Sequence, residues 1–126
     1  MTVLLLEIED FGAWAGSGDP EEIGRILRSV GGSLAPLVRQ SDLVARTGEA
    51  RFSFCLLDCN MAGAVLVADR IDGLLDSVRA RTKLGFSLGA AAFHLDMKRP
   101  EDLVGAAEEA LRIAQDRGPN QMEFIR

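Results

Sequence analysis

The chain has 126 residues, of which 48% are hydrophobic, and its formal net charge is −5. This length and composition predict one globular domain with a single core, and the negative charge argues against a surface for DNA or RNA, which needs clustered Lys and Arg. No apolar run approaches the roughly 18 residues of a membrane span and no signal-peptide pattern is present, so we expect a cytoplasmic protein without a membrane partner.

The first predicted strand, over 2–9, is apolar almost without a break, which is typical of a central strand covered on both faces. A Gly-rich connection over 12–18 separates it from the first predicted helix. This helix has Asp19 at the N-cap, Pro20 as its first residue and Glu22 as its third, the pattern of a capping box. Apolar residues then continue at helical spacing, so one stripe of the helix should pack on the sheet.

Pro36 weakens the end of this helix because it cannot donate a backbone hydrogen bond one turn back, so we expect a kink and an end near Val38. A hairpin follows, with a tight turn over 47–51 in which Gly48 is expected to supply the positive φ that such turns usually need. The remaining predicted elements are a helix over 61–81, an apolar strand segment over 84–93, a helix that Pro100 opens and Gly118 closes, and a short strand over 122–125.

The predicted order is therefore β-α-β-β-α-β-α-β, an α/β (α+β) chain whose first six elements form the split β-α-β arrangement of ferredoxin-like folds. In that arrangement the first strand lies antiparallel to the second hairpin strand. Glu7, Glu9 and Asp10 should therefore neighbour residues 48–51. Gly89 and the alanines after it should permit close contact between their strand and a helix.

Five segments of the chain, in this order, resemble the GGDEF family of diguanylate cyclases, which join two GTP molecules into cyclic di-GMP. The segments are LLLEIEDF, SDLVARTGEARF, ADRI, SLGAAAF and AAEEALRIAQDRGPN. The resemblance implies a palm-type fold with a mostly antiparallel five-stranded sheet and packed helices, over 1–126 as a single domain. The family's usual N-terminal lead-in, with its D-x-L-T-G-L-x-N-R motif, is missing from this sequence.

The family uses a divalent metal to bridge triphosphate oxygens and to help activate the attacking hydroxyl. Carried over by position, its first metal carboxylate falls on Glu7, its second has become Ala50, and the next acid has become Arg51. One carboxylate opposite a cation is a poor metal site. We therefore expect no metal and no cofactor, and we expect Arg51 to pair with Glu7, Glu9 or Glu49.

The positions that contact the nucleotide in the family also differ here. The lysine that normally follows the first-strand phenylalanine falls on Gly12, and the asparagine and aspartate that bind guanine fall on Ala15 and Gly24. The phosphate-binding lysine and arginine, which come later in the chain, fall on Gln115 and Pro119. The resemblance therefore implies a degenerate domain that is not an enzyme and has no catalytic residue. Trp14 is expected to plug the emptied nucleotide pocket, with an exposed anchor for a partner as the alternative.

One pattern of the family is retained. Many members carry a product-inhibition site, R-x-x-D placed five residues before the signature, and Arg39 and Asp42 occupy these positions. A second arginine of that site falls on Arg70. An arginine fork can bind guanine O6 and N7 or phosphate oxygens, and a carboxylate can accept from the guanine N1 and N2 hydrogens. We predict a cyclic di-GMP receptor that uses Arg39, Asp42 and Arg70.

Other interpretations of these residues stay open. Arg39 and Asp42 can be a solvated pair at a helix end, and the domain can be a ligand-independent scaffold for dimerisation or for a protein partner. Residual cyclase activity or GTP binding is the third interpretation. A ligand in this site often bridges protein surfaces in the family, so a homodimer is also possible. Receptor function requires Arg39, Asp42 and Arg70 to converge on one exposed concave surface, whereas a scaffold does not.

Overall fold

The computed structural model describes residues 1–125 as a five-stranded sheet with four α-helices. The strands are β1 (Thr2–Ile8), β2 (Leu43–Arg46), β3 (Arg51–Leu56), β4 (Phe86–Ala92) and β5 (Met122–Ile125), and the helices are α1 (Phe11–Ser17), α2 (Pro20–Leu34), α3 (Met61–Thr82) and α4 (Pro100–Asp116). Within this part of the chain, no helix is both long enough and apolar enough to cross a membrane.

The sheet has the strand order β2-β3-β1-β4-β5. Three of its four neighbouring pairs are antiparallel, and β4 and β5 are parallel. The unbroken apolar run of the first strand is explained by its central position between β3 and β4, where both faces of β1 are covered. The predicted fold class, a mostly antiparallel five-stranded sheet with packed helices, is confirmed.

The core has one layer on each face of the sheet. On one face, alternate residues of β1 and β3 pack against α2 and α3, and Leu4, Leu6 and Phe54 are among its most buried side chains. On the other face, α4 packs on β1, β4 and β5. A Cβ at Gly89 would lie 2.1 Å from the backbone nitrogen of Leu111, so the expected close contact between strand and helix is present.

The Gly-rich connection after the first strand contains a helix that the sequence did not predict. α1 begins after Asp10, whose φ of 53° is left-handed, and the rings of Phe11 and Trp14 meet edge to face at 5.7 Å. Both side chains also pack against the main core. Residues three apart share a helix face, so this apolar contact explains a short helix in spite of its glycines.

The start and end of α2 follow the prediction with one difference. The carboxylate of Asp19 caps the helix by accepting from the backbone N–H of Glu21, at 3.2 Å, so the cap bond is made one residue earlier than a capping box requires. After Leu34 a short 3-10 turn over Ala35–Leu37 contains Pro36, and Val38 is extended. The α-helix therefore ends at Leu34, and the 3-10 turn continues the helical chain to Leu37, just before the expected end near Val38.

The hairpin turn between β2 and β3 differs from the prediction. Of the glycines within 1–125, Gly118 has a positive φ, at 111°, and Gly48 does not. Four residues connect the strands, and a connection of this length does not need the positive φ of a two-residue turn. The guanidinium of Arg46 holds the turn by donating to the carbonyl oxygens of Gly48, at 3.2 Å, and Glu49, at 2.5 Å.

Candidate functional site

A large concave surface lies where β1 begins and β3 and β4 end. It is an open groove of about 1040 Å³ between the turn that precedes β2, the N-terminal half of α3 and the end of β4. We call it the arginine groove. Its lining includes the side chains of Arg39, Asp42, Leu66, Arg70 and Phe93.

The first wall of the arginine groove is a turn fixed to the end of β3. Asp42 accepts from the backbone N–H of Arg39 at 3.1 Å and from the backbone N–H of Leu57 at 2.8 Å. The Nη2 of Arg39 donates to the carbonyl oxygen of Leu57 at 2.6 Å. The side chain of Asp42 is only 5% exposed, whereas that of Arg39 is 61% exposed. The carboxylate therefore holds the turn, and the guanidinium reaches the open groove.

The second wall is formed by α3. Arg70 is exposed on this helix, and within residues 1–125 its guanidinium makes no ion pair. Leu66 lies one turn earlier on the same helix face and is also exposed. Arg70 therefore brings a second cation to the groove that Arg39 lines. The three residues of the sequence prediction surround one exposed concave surface, and their role in ligand binding stays a prediction.

A second cluster, the hairpin site, lies at the opposite end of β3 and comprises Glu7, Arg51, Glu108 and Gln115. Glu7 on β1 is directly opposite Arg51 on β3, and the Nε of Arg51 donates to Glu7 Oε1 at 3.2 Å. The side-chain amide of Gln115 donates to the other oxygen of Glu7. A second carboxylate oxygen, on Glu108, lies 3.8 Å from Nη1 of Arg51. The predicted pairing of Arg51 with Glu7 is confirmed.

The other two acids of the first strand lie away from the hairpin turn. β1 ends at Ile8, whose N–H donates to the carbonyl oxygen of Ala50 at 2.9 Å. Beyond this point the chain turns toward β4, where the Glu9 carboxylate accepts from the Ser87 hydroxyl, and Asp10 is exposed at the start of α1. The expected position beside the turn is therefore wrong for Glu9 and Asp10, because the backbone and the carboxylate of Glu9 bond to the β4 side of the sheet instead.

The hairpin site does not fit the divalent metal that the family resemblance implies. Such a metal needs several oxygen ligands, whereas both oxygens of Glu7 already accept from Arg51 and Gln115. The side chain of Ala50 has no donor atom. No group of three or more His, Cys, Asp or Glu side chains in the described part of the chain is arranged to hold a metal ion.

The sequence did not single out two side chains of the arginine groove, Leu66 and Phe93. Leu66 carried a weak signal, since it precedes Arg70 by four residues and so shares its helix face. No sequence signal pointed to Phe93, because no local pattern shows that the end of β4 faces a turn more than 50 residues earlier in the chain. Trp14 is half-buried against Phe11 and the core, and its expected role as a plug of the nucleotide pocket stays a prediction.

Comparisons with known proteins agree with this fold. A family model described as "Diguanylate cyclase, GGDEF domain" matches residues 1–121. Diguanylate cyclase DosC of Escherichia coli K12 is 30% identical over 132 residues, which cover 98% of this chain and 28% of DosC. The chain therefore spans less than a third of that relative.

Two solved structures have a similar fold. The active GGEEF domain of a diguanylate cyclase from Vibrio cholerae superposes with a TM-score of 0.86 at 16% identity, covering 99% of this chain and 82% of that one. The GGDEF domain of DgcB from Caulobacter crescentus, solved in complex with c-di-GMP, gives a TM-score of 0.85 at 15% identity, covering 98% of this chain and 76% of that one.

The expectation that the chain is not an enzyme is contradicted by these comparisons. The matched family model and the relative DosC are both diguanylate cyclases. The expectation took substitutions at a few positions, such as Ala50 and Arg51, as loss of activity. The family match, in contrast, depends on residues throughout 1–121, and over that range the chain matches a family of diguanylate cyclases.

Proposed function

Because the chain belongs to the GGDEF family of diguanylate cyclase domains, we propose that it binds cyclic di-GMP in the arginine groove through Arg39, Asp42 and Arg70. The observation that carries the proposal is that two exposed arginines from different elements line one groove of about 1040 Å³. Cyclic di-GMP has two phosphates and two guanines, and guanidinium groups bind phosphate oxygens and the O6 and N7 edge of guanine.

The three residues have different roles in this proposal. Arg39 keeps its Nη2 on the carbonyl oxygen of Leu57 and its Nε 3.6 Å from Asp42 Oδ2. The remaining N–H donors of its guanidinium are available to the ligand. Asp42 is almost fully buried, so it acts mainly by holding Arg39 at the rim. Arg70 supplies a cation from the facing helix. The c-di-GMP complex of a structural neighbour supports the choice of ligand.

A second candidate function is the conversion of two GTP molecules into cyclic di-GMP with release of two pyrophosphates. The family match over residues 1–121 favours it, while the donor arrangement at Glu7 does not. Incubation of the protein with GTP and magnesium, followed by chromatography of the products, tests this candidate directly. Formation of cyclic di-GMP above a no-protein control supports it.

Calorimetric titration of the 126-residue chain with cyclic di-GMP tests the proposed binding. The wild type should bind, and Arg39→Ala and Arg70→Ala should each weaken binding by about tenfold or more, since a good bidentate contact contributes about 1–3 kcal/mol. Arg81→Ala is the matched control, because Arg81 is exposed on the same helix as Arg70 but does not line the groove.

Two results would overturn this proposal. One is the absence of binding heat when the wild type is titrated with cyclic di-GMP. The other is binding that both groove variants retain with the affinity of the wild type. GTP with magnesium serves as the ligand control, because GTP has one guanine and no cyclic phosphodiester.

A further inference from the structure

The arginine groove has an apolar side that the proposed contacts do not use. Phe93 is 52% exposed and Leu66 is 60% exposed, and both line the groove together with Arg39 and Arg70. Single exposed apolar residues are common on proteins. Apolar and aromatic side chains combined with a few charged groups in one concavity are, in contrast, typical of ligand pockets. The two cations here favour an anionic ligand that also has apolar surface to bury.

The position of Phe93 is set by the sheet. Its backbone N–H donates to the carbonyl oxygen of Met1 at 2.7 Å, which keeps the residue at the end of β4 beside the start of β1. The guanidinium of Arg39 is bonded to Leu57, directly after β3. Since β1 lies between β3 and β4, two strand spacings, or about 10 Å, separate the two positions. One nucleotide unit of base, sugar and phosphate spans about this length.

We infer that Phe93 is a stacking subsite for a purine base of the ligand whose phosphates and other base are held by Arg39 and Arg70. The inference rests on the proposed binding of cyclic di-GMP and adds the residue that selects an aromatic base. Every base has a π-face that can stack on an aromatic side chain. Leu66, on the same helix face as Arg70, adds apolar surface beside that cation. The subsite makes the groove selective for a nucleotide over an anion without a base.

Titration of the 126-residue chain and its variants with cyclic di-GMP, and with inorganic pyrophosphate as an anion without bases, tests the subsite. Phe93→Ala should raise the Kd for cyclic di-GMP about tenfold, the typical contribution of one stacked base. Phe93→Leu should weaken binding similarly because it keeps apolar volume but loses the π-face. Phe93→Trp should keep wild-type affinity. Weak binding of pyrophosphate should be the same in all four proteins.

Leu95→Ala is the matched control, since Leu95 is 90% exposed two residues further along and does not line the groove. Stacking should also quench the fluorescence of Phe93→Trp on addition of cyclic di-GMP, beyond any change from Trp14 in the wild type. Circular dichroism spectra should be alike for all variants, because the ring of Phe93 is not in the core.

The possible results separate the subsite from the proposed function. If the wild type binds, Arg39→Ala loses binding and both Phe93→Ala and Phe93→Leu bind like the wild type, the subsite is wrong and the proposed function stands. If Phe93→Leu keeps full affinity while Phe93→Ala loses it, the residue acts by apolar volume and stacking is wrong. Absence of cyclic di-GMP binding by the wild type overturns both.

Discussion

At the scale of single residues, the contact between Glu7 and Arg51 organises the hairpin site. Both side chains are partly exposed, and the carboxylate also accepts from Gln115. Water screens such a pair, so its net contribution is within the range of about 0–1 kcal/mol measured for exposed pairs. The contact places a positive charge against Glu7, the position on which the family resemblance puts the first metal carboxylate.

A double-mutant cycle should measure this contact. Arg51→Ala and Glu7→Gln should each lower the free energy of unfolding by about 0.5–1 kcal/mol, and the double variant should lose less than the sum, because the second change removes a partner that is already lost. Urea denaturation of the four proteins gives the coupling energy. Strictly additive losses would show that Glu7 and Arg51 do not interact in solution.

At the scale of secondary-structure elements, α4 packs closely on β4. Ala107, Ala110 and Ala114 are fully buried on the helix face that meets the strand. Gly89 lies under this face, and a side chain there would meet the backbone of Leu111 itself. Backbone cannot move aside like the end of a flexible side chain, so the distance between helix and strand depends on the absence of a Cβ at this position.

Two glycine-to-alanine variants should therefore have opposite effects. Gly89→Ala should lower the free energy of unfolding by about 3 kcal/mol or more, as overpacking against backbone does in tight cores. Gly73→Ala is the matched control in the exposed middle of α3, where a Cβ meets nothing within 4 Å, and it should stabilise by up to about 1 kcal/mol. Thermal or urea denaturation checks both values. A neutral Gly89→Ala would contradict the close packing.

At the scale of the whole molecule, β3 separates the two sites. Arg51 of the hairpin site is at its start, and the carbonyl that binds Arg39 follows its last residue. Six residues of strand place these ends about 17 Å apart. The strand is also central to the core, since Phe52, Phe54 and Leu56 are all buried in it. A ligand that binds the folded groove should therefore stabilise the whole domain.

Ligand binding should accordingly raise the unfolding temperature. Cyclic di-GMP at about 100 times its Kd should add about 2.7 kcal/mol to the free energy of unfolding, or about 10 °C for a domain of this size. Differential scanning calorimetry measures the shift. Arg39→Ala at the same ligand concentration should show a clearly smaller shift, about half of the wild-type shift if its Kd is about tenfold higher. An equal shift in wild type and variant would place the ligand somewhere other than the arginine groove.

Local patterns in the sequence predicted the five strands, every helix except α1, their order and the antiparallel pairing of β1 with β3. The sequence therefore also predicted the contact of Glu7 with Arg51. Helices and strands were predicted from local signals, namely apolar periodicity, the cap residue Asp19 and the helix-closing Gly118. A known topology then predicts which of these elements lie next to each other. The retained R-x-x-D pattern likewise pointed to Arg39 and Asp42, because a motif of four residues is read without knowledge of distant contacts.

Features that depend on contacts between distant residues are visible only in the folded chain. α1 is held by the packing of Phe11 and Trp14 on the core, Asp42 is buried because it binds the end of β3, and the Glu9 carboxylate accepts from Ser87 on β4. Phe93 joins Arg39 in one groove through the order of the strands. Each depends on residues far apart in the chain, which no local pattern encodes.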